Sequence, residues 1–104
     1  MAQFDVYKNT SDISSREFPF LLEIQSDLFE DVNRAVMVPL VLVSTLTNLD
    51  PTLNPEFEIE SKNVALFPLD ISSIDKNQFR NPVSNIRAES DRVIAALDLL
   101  FARY

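Results

Sequence analysis

Apolar positions along this chain follow a period of two for most of its length and a helical period near its end. Phe4 and Val6 alternate with Gln3, Asp5 and Tyr7, the pattern of a half-buried strand. Lys8 to Arg16 is polar and reads as an exposed loop. Phe18, Phe20, Leu22 and Ile24 then share one face, with Pro19, Leu21, Glu23 and Gln25 on the other, which predicts the clearest strand in the chain. Ala35 to Val43 is continuous and rich in branched residues, as expected of a strand covered on both sides. Pro39 falls within it. A proline has no N–H to give to a sheet ladder, so this strand is expected at an edge or through a bulge.

Thr45 to Pro55 carries two prolines with Asn48, Asp50 and Asn54 and predicts a loop with at most one helical turn. Phe57 to Glu60 alternates, Ser61-Lys62-Asn63 turns, and Val64 to Leu69 returns, which makes a hairpin whose second strand ends or bulges at Pro68. Residues 71–83 show no clear period. From Ser84 or Asn85 onward Ile86, Val93, Leu97 and Leu100 line up, with Ile94 and Phe101 beside them. This is the stripe of one amphipathic helix, capped by Ser84 or Asn85 and faced outward by Arg87, Glu89, Asp91 and Arg92. About five short strands and a terminal helix predict a mainly β, single-domain chain, residues 1–104, curled into a small barrel.

Composition narrows the chemistry. The chain of 104 residues has no Gly, no Cys and no His. Turns that need positive φ must fall to other residues, and Asn33, Asn48, Asn54, Asn63 and Asn77 are placed to take them. A phosphate-cradling glycine loop is excluded, as are a thiolate nucleophile, a Ser-His-Asp triad and a His/Cys zinc site. The 16 acidic residues are scattered, so neither a metal nor another cofactor is expected. A formal charge of -7 disfavours nucleic acid as a direct partner, because binding there depends on Lys and Arg neutralising phosphates. The first residues have no signal-peptide pattern and the longest apolar run is too short to span a bilayer, so a cytoplasmic protein without membrane contact is expected.

Four patches, in order, resemble one known family. They are Gln3-Phe4-Asp5-Val6-Tyr7, Ile24-Gln25-Ser26-Asp27 followed by Met37-Val38-Pro39-Leu40, Leu69-Asp70-Ile71-Ser72-Ser73-Ile74, and Ala96-Leu97-Asp98-Leu99-Leu100-Phe101. This order is similar to the CcdB family of toxins from toxin–antitoxin modules. The resemblance implies an SH3-like barrel with a C-terminal helix, a homodimer and no enzymatic activity. It implies two partners, a cognate antitoxin and the DNA-cleaving subunit of DNA gyrase. By family position Leu28, Phe29, Asp98, Ala102, Arg103 and Tyr104 would contact gyrase. Leu99, Leu100 and Phe101 would lie at the dimer interface, and the loop carrying Asp12 and Arg16 would meet the antitoxin. Each assignment has a plainer alternative: Phe101 and Tyr104 could finish the packing stripe of the helix, and Asp12 to Arg16 could be an ordinary solvated loop.

One departure bears on activity. Family toxins end Trp-Gly-Ile, whose Trp stacks on a gyrase Arg, whereas this chain ends Ala102-Arg103-Tyr104. Weakened, altered or lost gyrase poisoning is therefore expected, with a non-toxic, antitoxin-binding dimer as one alternative. A MazF-like endoribonuclease on the same fold is another, but it would want a basic groove and an acid–base pair, which an acidic chain without His supplies poorly. Gln25-Ser26-Asp27 places an amide, a hydroxyl and a carboxylate in a row. Neighbours on a strand point to opposite faces, so backbone bonding at the strand's end is expected there, not catalysis.

Overall fold

A computed structural model describes residues 1–103; Tyr104, one of the expected gyrase contacts, lies outside the described residues. Seven strands form one sheet: β1 (Asp5–Lys8), β2 (Phe20–Glu23), β3 (Arg34–Leu42), β4 (Glu56–Ile59), β5 (Lys62–Leu66), β6 (Ser72–Asp75) and β7 (Ser84–Asn85). One helix follows, α1 (Ser90–Leu100). All neighbouring strands are antiparallel, in the order β4-β5-β3-β2-β1-β7, with β6 also paired to β3. The result is a nearly closed, barrel-shaped sheet of the small SH3-like kind with a C-terminal helix against it.

The long strand β3 is the hub and is paired on both sides, so Pro39 does not lie on an edge strand, one of the two placements, edge or bulge, that the sequence led one to expect. On one side β3 pairs with β2, Leu21 opposite Pro39. On the other it pairs first with β6, from Arg34 to Met37, and then with β5, from Leu40 opposite Leu66 to Leu42 opposite Val64. Pro39 falls in the gap where one partner gives way to the next. Its carbonyl accepts from the Phe67 N–H at 3.0 Å. In an extended strand the N–H and C=O of one residue face the same side. The missing proline donor therefore points into that gap, where no ladder bond is lost.

Alternation along β1 and β2 sorts side chains into two cores. Phe4, Val6, Phe20, Leu22, Val38 and Leu40 meet Phe57, Ile59, Val64 and Leu66 of the hairpin and Ile86, Val93 and Ala96 from the C-terminal region. Tyr7, Leu21, Ala35 and Met37 form a second cluster on the opposite face, under Phe18, Ile74 and Phe79. Both faces are thus covered, and β1 is buried at Asp5 and Tyr7 as well as at Val6, instead of half-buried. Each large apolar side chain buried in these clusters contributes about 1.5–3 kcal/mol.

Three further expectations are corrected. The turn between β4 and β5 is Glu60-Ser61, not Ser61-Lys62-Asn63, and both its residues have positive φ, 49° and 65°. Of the five asparagines placed to take such turns, only Asn48 does; Phe4, at φ 70°, is the remaining case among the described residues. Finally, α1 begins at Ser90, not at Ser84 or Asn85, which form β7 beside β1. Asn85 Oδ1 accepts from the Arg87 N–H at 2.9 Å and so opens the single helical turn Arg87–Glu89 that leads into α1.

Candidate interaction site

The segment from Ile24 to Arg34, between β2 and β3, is shaped by its polar side chains. Gln25 spans it: the amide donates to the Phe29 and Arg34 carbonyls at 3.3 and 3.0 Å, and Oε1 accepts from the Val36 N–H at 3.1 Å. Ser26 Oγ accepts from the Leu28 N–H at 3.2 Å and starts the one-turn helix Asp27–Phe29. Asp27 accepts from the Gln3 N–H at 2.8 Å and faces the Arg87 guanidinium at 3.5 Å. Lys76 Nζ reaches the Glu30 carbonyl at 2.6 Å. Ser26 and Asp27 thus bond the backbone at the strand's end, as the sequence led one to expect, and Gln25 does so as well.

This polar frame holds an apolar tip outward. Leu28 is 88% exposed and Phe29 56%, and Val32 is exposed beside them. Ile24, Gln25, Ser26, Phe29, Val32 and Val36 line an apolar groove of about 490 Å³ next to the tip. Sequence reasoning missed Val32. The available signal was an apolar residue standing alone in the polar run Glu30 to Arg34. Exposed apolar residues gathered in one place mark an interaction surface more often than scattered ones do.

The end of α1 presents a second exposed apolar set. The helix buries Val93 and Ala96 and half-buries Leu97 and Leu100, so its seam is narrower than the sequence stripe. Ile94, Leu99 and Phe101 are exposed, Phe101 at 68%. Phe101 therefore does not finish the packing stripe. Its N–H donates to the Leu97 carbonyl at 3.1 Å and the Ala102 N–H to that of Leu99 at 3.2 Å, closing the helix. Asp98, Ala102 and Arg103 are exposed around it. The structure thus brings Asp98, Leu99, Phe101, Ala102 and Arg103 to one helix end. Leu28 and Phe29 belong to a different segment, whose neighbour Asp27 is held by the Gln3 N–H and the Arg87 guanidinium.

Asp12 and Arg16 are exposed on the loop between β1 and β2. Asn9 ties that loop down, its amide donating to Ser14 Oγ and the Phe18 carbonyl, both at 3.0 Å. A second groove of about 400 Å³ opens there over Phe18, Leu21, Pro39, Ile74 and Phe79, with Asn9, Ser11 and Ser14 on its rim. Asp12 and Arg16 are not among its lining residues.

Under β1 and β2 lies a buried polar group. The Tyr7 hydroxyl donates to Asp5 Oδ2 at 3.1 Å, and Asp5 also accepts from the Ala2 N–H and the Asn85 amide. Burial, then the bond to Asp5 and the charges of Asp5 and Glu23, push the Tyr7 phenol well above its ordinary range. Burial also raises Glu23, against the opposing pull of Lys76 and the N-terminus. Glu23 Oε1 is the one buried side-chain nitrogen or oxygen among the described residues without a hydrogen-bond partner. Among these residues no three carboxylates are gathered closely enough to hold a metal ion, and no helix is long and apolar enough to cross a membrane.

Barrel and helix define a small β-barrel protein with two exposed apolar surface sets. The family model described as CcdB protein matches residues 3–102, nearly the whole chain, and the chain belongs to the CcdB family. No curated protein matches it. Family membership supports a toxin of a toxin–antitoxin module as its general class.

Proposed function

We propose that this chain is a homodimeric toxin that binds the DNA-cleaving subunit of DNA gyrase without enzymatic chemistry of its own and is neutralised by a cognate antitoxin. The observation that carries the reading is the family match across residues 3–102. The outward-facing end of α1, with Phe101 exposed and Asp98, Ala102 and Arg103 around it, supports that end as the gyrase contact. Exposed Leu99 and Phe101 also support a symmetric pairing of two helices, which would present two such ends together. The loop of Asp12 and Arg16 is the proposed antitoxin contact. The net charge of -7 favours a basic antitoxin arm, whose affinity falls as salt rises.

Ala102 lacks the indole that the family sets at this point, and Arg103 adds a cation there, so poisoning is proposed to be weaker than in the family's Trp-ended members. Supercoiling and cleavage-complex assays with purified protein test this. Inhibition that needs protein well above submicromolar concentration fits the reading. Robust cleavage at submicromolar protein overturns the weakening, and no effect on gyrase at any concentration overturns the target. Growth arrest on induced expression separates a toxin from a dimer that only sequesters antitoxin.

A further inference from the structure

We infer that Arg87 is a positioning residue for the Leu28–Phe29 tip, acting through Asp27 and the backbone of Gln3. The inference rests on the gyrase-binding reading above and assigns that contact a supporting element. One peptide segment is gripped from three sides. The Gln3 N–H donates to Asp27 Oδ1 at 2.8 Å, while the Gln3 carbonyl accepts from Arg87 at 3.3 Å and from the Asn85 amide at 3.2 Å. The same Arg87 nitrogen lies 3.5 Å from Asp27 Oδ2. Asp27 is the first residue of the turn that ends in Leu28 and Phe29. Three parts of the chain far apart in sequence are therefore joined at a single carboxylate.

The next residue shows what this grip sustains. Phe4 has φ 70°, a conformation that costs a bulky non-Gly residue energy and persists only where the surroundings over-determine it. Its N–H donates to the Glu23 carbonyl at 2.7 Å, its carbonyl accepts from the Ile86 N–H at 3.0 Å, and the Arg87 guanidinium covers its ring at 5.4 Å. Arg87 thus holds both the strained residue and the carboxylate beside the tip. A tip fixed before contact loses less freedom on binding, which favours affinity. Arg87 and Asp27 are each about half exposed, so solvent screens the pair, and its loss should loosen the tip without unfolding the barrel.

Amide hydrogen exchange and binding to a fragment of the gyrase cleavage domain, both on the full chain, test the inference. Arg87→Ala should speed exchange at Leu28 and Phe29 several-fold, leave β3 and β5 unchanged, and weaken fragment binding about three- to tenfold. Arg87→Lys keeps the charge but loses the planar guanidinium over the Phe4 ring, and should recover part of both effects. Leu28→Ala should weaken binding without speeding exchange at Phe29. Unchanged exchange in Arg87→Ala overturns the clamp, and a loosened tip with unchanged affinity overturns its positioning role. If the unaltered chain does not bind the fragment, the gyrase reading fails and the role of Arg87 in that contact falls with it. The exchange data then still decide whether the clamp exists.

Discussion

The Tyr7 hydroxyl donates to the Asp5 carboxylate at 3.1 Å inside the sheet, two residues along the same strand and on its second buried face. Side chains at i and i+2 share a face of a strand, so β1 carries its own polar pair into the second core cluster. The two partners are not equal. Asp5 keeps the Ala2 N–H and the Asn85 amide if the phenol is lost, whereas the phenol has Asp5 as its acceptor. Tyr7→Phe should therefore cost about 1 kcal/mol and Asp5→Ala about 2–3 kcal/mol, because only the second leaves a buried donor, the Tyr7 hydroxyl, without its acceptor and takes the acceptor from two part-buried donors as well. Urea denaturation of both variants checks the order.

Glu23 predicts how stability varies with pH. Burial raises its folded-state pKa above the ordinary 4.5. Below 4.5 it is protonated in both the folded and unfolded states and costs nothing in charge. As pH rises from 4.5 through the raised value the unfolded chain ionises first, so stability from this group is lost and the loss then levels off. Glu23→Gln removes the titration. The variant should gain stability relative to the unaltered chain as pH rises from 4.5 toward neutrality, and the gain should vanish on acidification. Thermal melts of both proteins across that range measure the difference, and a difference independent of pH would contradict it.

The β4–β5 turn stores removable strain. Glu60 and Ser61 both hold positive φ, in a two-residue hairpin turn that favours Asn-Gly. Left-handed backbone costs an ordinary residue about 1–2 kcal/mol. Glu60→Asn with Ser61→Gly should stabilise the chain by about 1–2 kcal/mol overall, and each 1 kcal/mol raises Tm by about 4–8 °C in a domain of this size. A melt of the double variant reads this directly.

That turn also marks where the sequence stops being legible. Period-two alternation placed Phe20, Leu22, Phe57 and Ile59 in the core, because sidedness follows from strand geometry alone, whereas Phe18, expected on the same face, precedes β2 and packs on the opposite cluster. Neither Glu60 nor Ser61 announces a positive φ; the register of Phe57 against Val64 imposes it. Pro39 misled for a related reason. Its missing donor is harmless only because β3 changes partners beside it, and no local pattern encodes that exchange. Ser84 and Asn85 read as a helix cap, yet pairing with Asp5 and Val6 draws them into the sheet and delays α1 to Ser90. Tertiary pairing overrode local propensity in each case. At the candidate site, Phe101 was legible as a helix-end aromatic, but its exposure depends on how few turns of α1 reach the core.

The helix end offers the sharpest test of function. Ala102 is exposed one residue beyond Phe101, on a backbone closed by its bond to the Leu99 carbonyl. Ala102 is exposed, so Ala102→Trp should shift Tm by no more than about 2–4 °C, the range that a surface change of about 0.5 kcal/mol allows. An indole at this point could stack on a partner guanidinium, an interaction of about 0.5–2 kcal/mol as the site is desolvated. That energy corresponds to about two- to thirtyfold in affinity. Ala102→Trp should therefore shift the gyrase cleavage-complex titration to lower protein by a factor in that range. Arg103→Gly, which removes a cation from the same contact, should add to it. The combined variant exceeding either single one would support the end of α1 as the gyrase contact. Equal potency of all four proteins would place the contact elsewhere on the barrel.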